Sequence, residues 1–318
     1  MKTTTLPKIY RLAAIDLGSN AVRMLAAESV SPHIFRTIKQ SRKPLRLGQN
    51  VYGKGAITKD QFIEGIKFFR RFREIIYDLE IEHYCAFGTS ALRDSTNAQE
   101  FIDIIKDQTD ILIEPITGEL EAQLVFEAIN HFVNFNHEPT LLIDIGGGSL
   151  ELIYVENNRP KELATFQMGT VRTLNKLVDN SVTVEDQLRE IIESYRKQVK
   201  DFFDHKVKHR NFKLIVGSGG NFERLAKIEG YIARTLDDRK VSYKKLCDYN
   251  IILSRMTIEE RMRYFQLRRD RADVIIPAGF LVEMILNEIN GSEVLVPGVG
   301  LSSGILLHLM KKIKYQDI

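Results

Sequence analysis

The stretch Leu141-Leu142-Ile143-Asp144-Ile145-Gly146-Gly147-Gly148-Ser149-Leu150-Glu151-Leu152-Ile153-Tyr154-Val155 decides the fold. An apolar run ends in an aspartate, turns on three glycines and a serine, and resumes with strand-forming residues. Such a run bounded by glycines predicts a buried strand. Consecutive glycines let backbone come close to a ligand and aim N–H groups at an anion. After a dinucleotide fingerprint or a P-loop the chain would enter a helix. Here it enters a second strand, and neither G-x-G-x-x-G nor G-K-[ST] is present. The stretch therefore predicts a hairpin whose tip could hold phosphate, with Asp144 and Glu151 beside it.

The same order occurs once before. In Leu12 to Ala27 an apolar strand reaches Asp16-Leu17-Gly18-Ser19-Asn20, turns, and continues into a second apolar strand. The two aspartates are separated by about one domain's length of chain. A repeat at that distance predicts two related α/β domains, each offering a phosphate-binding hairpin to a shared cleft. At 318 residues the chain is long enough for two cores. The turn Asn134 to Pro139 marks the expected boundary, giving domains 1–134 and 135–318.

Composition is that of an ordinary globular protein, with 44% hydrophobic and 27% charged residues. A net charge of +3 does not imply DNA or RNA as a partner. Cys85 and Cys247 lie far apart without metal-ligand spacing, which favours a reducing compartment. Met1 to Arg11 is too short for a signal core, and no run of 18 apolar residues occurs. A cytoplasmic protein without membrane contact is the expectation.

Six further segments carry information. Arg42 to Gly55 is basic and dotted with glycine, and reads as a solvated loop. Gly88-Thr89-Ser90-Ala91-Leu92-Arg93 ends a strand with hydroxyls and an arginine, a pattern suited to an anion at a helix start. After Thr117-Gly118 a helix carries Leu120, Leu124, Ala128 and Phe132 on one apolar arc. Glu121 falls inside that arc, whereas Glu119 falls outside it and merely complements the helix dipole. Burial raises a carboxyl pKa towards that of a useful general base, which makes Glu121 the best catalytic candidate. Gly217-Ser218-Gly219-Gly220 is a third strand–glycine–helix turn, and Val294 to Gly304 another. Tyr243 to Arg271 reads as helical, with Thr257 and Glu260 forming a capping pattern.

No G-x-S-x-G elbow and no His/Cys metal cage is present. What remains is carboxylates around phosphate: Asp16, Glu121, Asp144 and Glu151. Their hard oxygens suit Mg²⁺, which commonly uses one or two carboxylates, water and substrate phosphate. The residues thus reach Mg²⁺-dependent phosphoryl transfer or hydrolysis, with kinase, ATPase and phosphatase left open.

Taken together, Asp16 to Asn20, Gly88 to Arg93, Thr117 to Ala122, Asp144 to Ser149 with Glu151, and Gly217 to Gly220 resemble the exopolyphosphatase / guanosine pentaphosphate phosphohydrolase family in order and spacing. The resemblance spans about residues 10 to 308 and is to the short form, without the C-terminal helical extension of longer members. It implies two ribonuclease-H-like domains of the actin, sugar-kinase and heat-shock ATPase superfamily, with the last helix packing back near the first domain. It implies a catalytic set of Glu121 as the base for water, with Asp144 and Glu151 around metal and water. Asp16, Gly18, Ser19 and Asn20 would form the first phosphate loop, and Gly146, Gly147, Gly148 and Ser149 the second. Thr89, Ser90 and Arg93 would hold substrate phosphate, and Gly217, Ser218, Gly219 and Gly220 the nucleotide side. A homodimer is among the assemblies it allows.

Two departures bear on activity. The family often has two adjacent glutamates where this chain has Leu120 and Glu121, and Gly-Leu-Arg-Glu-Gly where it has Gly300-Leu301-Ser302-Ser303-Gly304. Hydrolysis of terminal phosphate from inorganic polyphosphate is the first expectation, and conversion of pppGpp to ppGpp the second. A non-catalytic (p)ppGpp-binding regulator and a sugar or acetate kinase are the readings from other classes.

Overall fold

The structure, a computed structural model, describes residues 8–177, 181–208, 210–233 and 239–313. The N-terminal residues used above to argue against a signal core lie partly outside that range. Among the described residues no helix is long and apolar enough to cross a membrane.

The chain divides into two compact units, one running to Thr117 and resumed at Leu301, the other Gly118–Gly300. The first unit contains β1 (Tyr10–Leu17), β2 (Val22–Ser31), β3 (Ile34–Lys43), α1 (Leu47–Lys54), α2 (Lys59–Asp78), β4 (His83–Gly88), α3 (Ser90–Arg93), α4 (Ala98–Thr109) and β5 (Ile113–Pro115). The second opens with α5 (Gly118–Phe132), followed by β6 (Thr140–Ile145), β7 (Leu150–Glu156), β8 (Arg159–Phe166), α6 (Thr170–Leu174), α7 (Val184–His205) and β9 (Leu214–Ser218). It continues through α8 (Gly219–Ala233), β10 (Lys240–Ser242), α9 (Tyr243–Arg255), α10 (Ile258–Phe265), α11 (Arg269–Ala272), α12 (Ile275–Glu288) and β11 (Glu293–Leu295). The last helix, α13 (Leu301–Lys311), returns to the first unit.

The two sheets repeat one topology. The first has strand order β3-β2-β1-β4-β5 and the second β10-β11-β9-β6-β7-β8. In each, a hairpin meander supplies three antiparallel strands, and parallel crossover strands extend the sheet from the first of them. The second sheet adds β10, antiparallel to β11. These are two related α/β cores, as the repeated hairpin predicts, and their shared strand order is the ribonuclease-H-like one that the resemblance implies.

Both faces of each sheet are covered, which is why β1, β2, β6 and β7 read as continuous apolar runs. In the first unit Ala13, Ile15, Leu17, Val22 and Met24 pack with Phe69 and Phe72 of α2. In the second, Leu141, Ile143, Leu150 and Leu152 pack against α7, α8, α9 and α12. The opposite faces, which carry Asp16 and Asp144, are covered by α13 and α5 respectively. Thr58 starts α2 with a reciprocal capping box to Gln61, satisfying two end groups at once.

Three details differ from the sequence reading. The helix bearing Glu121 packs on β6, β7 and β8 and so joins the second unit, which begins at Gly118 and not at residue 135. Arg42 to Gly55 is the end of β3 followed by α1, with Arg46 left-handed at the helix entry. Its Gly48 is required by packing, since a Cβ there would lie 2.7 Å from the Tyr52 ring and 3.0 Å from Ser19 Cβ. Tyr243 to Arg271 is three helices and not one, the second started by the Thr257–Glu260 capping box that the sequence pattern marks.

Phe69 and Phe72 meet edge to face at 5.8 Å and are fully buried. Phe69→Ala is expected to lower stability by about 3–5 kcal/mol. A urea titration checks this, and a loss below about 1 kcal/mol would place the ring outside the packed core.

Candidate functional site

In the first hairpin the turn is closed by Gly18 N–H donating to Ala21 O at 3.0 Å. The entry to α1 holds the turn from behind: Gly48 N–H donates to Ser19 O at 2.9 Å and Arg46 N–H to Asn20 O at 3.2 Å. In a trans peptide the carbonyl of one residue and the N–H of the next point in opposite directions. Tying back the Ser19 and Asn20 carbonyls therefore turns the Asn20 and Ala21 N–H groups away from α1. The Ser19 hydroxyl lies 2.6 Å from Tyr52 Oη and 3.0 Å from Ser90 Oγ, and Tyr52 Oη donates to Ser90 at 3.1 Å. Thr89 N–H donates to Leu17 O at 3.1 Å. The structure thus brings Gly18, Ser19, Asn20, Thr89 and Ser90 together at one end of the first sheet. Tyr52 joins them, a residue the sequence reading left in its loop.

Asp16 stands opposite Arg23 in the β1–β2 register. It is 2% exposed, and its Oδ2 accepts from Arg23 Nη1 at 2.7 Å. Its carboxylate is therefore committed to an ion pair in a way a metal ligand would have to share. Arg93, at the end of α3, donates from Nη1 to Ile116 O at 2.6 Å, just before the turn to the Glu121 helix.

The second hairpin uses the same device more fully. Gly146 N–H donates to Ser149 O at 3.0 Å. The start of α6 then holds the glycine carbonyls, with Thr170 N–H to Gly146 O at 3.0 Å and Val171 N–H to Gly147 O at 2.7 Å. Arg172 Nε donates to Gly148 O at 2.9 Å. By the trans-peptide argument the N–H groups of Gly147, Gly148 and Ser149 face the other way. The Ser149 hydroxyl is buried, 3% exposed, and has no hydrogen-bond partner among the described residues. A buried hydroxyl without a partner is costly, and beside outward N–H groups it is suited to an anion.

Next to this loop, Asp144 stands opposite Glu151 where the first hairpin has Asp16 opposite Arg23. The register continues to Thr165 on β8 and to Ser218 on β9, so these side chains share one face. Gly118, which starts α5, packs on that face, since a Cβ there would lie 2.7 Å from Thr165. Glu121, one turn further along α5, is 6% exposed, whereas Glu119 is exposed, as their projection predicts. Asp144 and Glu151 therefore lie on the sheet face that α5 covers, and Glu121 is buried in the first turn of that helix. Phe132, read as the end of the apolar arc, is 49% exposed.

Gly217 to Gly220 adjoin the same row. Gly219 has φ +84°, a left-handed conformation suited to glycine, and a Cβ on it would lie 2.9 Å from Asp144 Oδ1. Asn221 Nδ2 donates to Ile145 O at 2.6 Å, and Arg271 Nη1 donates to Asn221 Oδ1 at 3.3 Å. Ser218 Oγ donates to Val299 O at 3.2 Å. Arg172, Asn221 and Arg271 escaped the sequence reading, because nothing in their local pattern points to partners so far along the chain. Leu120 is half-buried at the start of α5, and Ser302 and Ser303 are half-buried in the first turn of α13.

The donor set is carboxylate and hydroxyl oxygen. Among the described residues no group of three His, Cys, Asp or Glu side chains could hold a metal ion alone. Burial pushes the Cys85 thiol up to about 11 and also raises that of Cys247, so neither supplies a thiolate nucleophile at neutral pH.

Residues 25–313 match the sequence model of the Ppx/GppA phosphatase family. Among solved structures, the chain is similar to a Ppx/GppA family member from Aquifex aeolicus, with 25% identity and a TM-score of 0.77. That match covers 96% of this chain and 100% of the other. It is also similar to an exopolyphosphatase from Cytophaga hutchinsonii, with 25% identity, a TM-score of 0.81, and 96% and 99% covered.

Gly169 packs directly on the glycine loop, and a Cβ there would lie 2.3 Å from Gly148 N and 2.4 Å from Gly147 C. Backbone cannot yield as a side-chain tip can. Gly169→Ala is expected to cost about 1–3 kcal/mol. Thermal unfolding reads this, and an unchanged melting temperature would separate Gly169 from the loop.

Proposed function

Because this chain belongs to the Ppx/GppA phosphatase family, we propose that it hydrolyses the terminal phosphate of inorganic polyphosphate. Family membership and an exopolyphosphatase among its structural neighbours support a phosphatase. The observation that carries the reading to this site is the second hairpin. There the unpartnered Ser149 hydroxyl and three outward N–H groups adjoin the Asp144–Glu151 pair.

The chemistry follows from the residues. Phosphoryl transfer needs positioning, charge neutralisation and a group to orient the nucleophile. The glycine-loop N–H groups and Ser149 would bind the terminal phosphate oxygens. Glu121, buried on the carboxylate face, would accept a proton from water as the water oxygen bonds to phosphorus and the bridging P–O bond breaks. Arg93, with one arm on Ile116 O, would hold substrate phosphate bidentately through its planar fork.

Two carboxylates opposed in a strand pair destabilise one another, so Asp144 and Glu151 favour a cation nearby. Their hard oxygen donors fit Mg²⁺ completed by water and phosphate. When bound, the ion would neutralise phosphate charge. Asp144 and Glu151 are the proposed ligands, with Glu121 nearby, and Asp16 is the weaker candidate because it is ion-paired to Arg23.

Phosphate release by the purified chain with Mg²⁺, comparing polyphosphate and pppGpp, tests the reading. Release from pppGpp alone would move the activity to the nucleotide. Binding without release from either would make the chain a (p)ppGpp- or polyphosphate-binding regulator. Glu121→Gln is expected to lower kcat by about 10²–10⁴-fold with KM and melting temperature nearly unchanged. A wild-type rate in that variant would remove Glu121 as the base. Arg93→Ala is expected to raise KM about tenfold by removing a charge-assisted bidentate contact. An unchanged KM would exclude Arg93 from the phosphate site.

A further inference from the structure

We propose that a groove on the first unit, between α2 and the end of β3, is a second, non-catalytic binding site for linear polyphosphate. The inference rests on the reading of polyphosphate as substrate. The groove has a volume of about 680 Å³; Ile63, Ile66 and Phe68 form its apolar floor, and Lys43, Lys67, Arg70 and Arg71 line it with Glu74 as the acidic residue. Arg70 and Arg71 stand three and four residues after Lys67, and Glu74 four and three residues after them, so the set forms a stripe along one face of α2.

Lys43 forms the other wall. It stands opposite Val22, which stands opposite Leu17, so it sits at the end of the sheet where the Gly18–Ala21 turn lies. Strand alternation puts Leu17, Val22 and Lys43 on the α2 face, and Asp16, Arg23 and Arg42 on the other. The groove is thus distinct from the carboxylate face of this sheet but begins at the same sheet end as the first phosphate turn. A polymer reaching that turn could continue around the edge strand into it.

Charge identifies the occupant. Four cations face one acid in the groove, and the adjoining edge strand β3 carries no acidic residue. Among the described residues, three of these cations have exposed partners: Lys67 lies 3.5 Å from Glu64, Arg71 2.5 Å from Glu74, and Arg70 donates to Gln108 at 2.5 Å. Exposed pairs of this kind are weak and exchange readily for a denser anion. Each cation that neutralises a polymer phosphate also releases a counterion, so affinity should fall steeply with salt.

The test is the triple variant Lys67→Gln, Arg70→Gln, Arg71→Gln, with Lys197→Gln, Lys200→Gln on the exposed face of α7 as control. At low salt its KM for long-chain polyphosphate is expected to rise about tenfold, with kcat and the KM for tripolyphosphate unchanged. Equal shifts for both substrates, or none, would overturn the proposal. Polyphosphate titrated into Glu121→Gln, with and without the triple change, reads binding without turnover. A weaker titration in the triple background therefore supports the groove even if wild-type protein releases no phosphate, which would defeat only the proposed activity. Equal displacement of polyphosphate by polyglutamate would assign the groove to acidic protein segments and overturn the phosphate assignment.

Discussion

The glycine carbonyls of the second hairpin are held from behind, and the chemistry proposed for that hairpin depends on it. Gly146 and Gly147 accept from backbone N–H groups at the start of α6, and Gly148 accepts from Arg172. Each such bond contributes on the order of 1 kcal/mol net. Their larger effect is on orientation: fixing three carbonyls fixes three peptide planes, and the N–H groups must face outward. The contact is close enough that Gly169 cannot carry a side chain. The first hairpin repeats the device with two carbonyls, held by Arg46 and Gly48 at the entry to α1. A turn of free glycines would lose much of its anion affinity to the entropy of ordering it.

What distinguishes the two copies is the residue across the strand from the aspartate. Asp16 faces Arg23 and forms a close ion pair, a locally compensated arrangement. Asp144 faces Glu151, both buried, where the same geometry sets like charge against like. Sequences ordinarily avoid that pairing, and places where a local rule is broken tend to be functional. The duplicated fold thus divides its labour. The first hairpin closes on its own ion pair, and the second carries the carboxylate row for which we propose a cation and a phosphate.

Much of this was legible in the sequence because it is local. An apolar run, an aspartate and a glycine turn specify strand, hairpin and register within some fifteen residues, and two copies specify the doubled core. Glu121 was legible for the same reason, since the period of its helix places it on the buried side. The missed elements are those whose meaning lies at long range. Arg42 to Gly55 looks like a loop because Gly48 disfavours helix, yet Gly48 is there to let Tyr52 and Ser19 approach. Arg172 and Asn221 hold turns more than twenty and more than seventy residues away, and no spacing rule joins them. The unit boundary was misjudged because an amphipathic helix announces that it has a buried face, but not which sheet covers it.

The duplicated fold also fixes the position of the proposed base, Glu121. The carboxylate face of each sheet is covered by a helix, α13 in the first unit and α5 in the second. Ser302 and Ser303 start the first of these, and Glu121 lies in the first turn of the second. Gly118 seats α5 against Thr165, the residue in register with Glu151, so helix and carboxylate pair are referenced to the same strand row. Ala122, Val125 and Ile129 bury the rest of the face and prevent the helix from rotating. A glutamate on a surface loop could reach the same space, but it would lose side-chain and backbone entropy on every encounter. On α5 that cost is met once, in folding, by the same apolar contacts that close the second core.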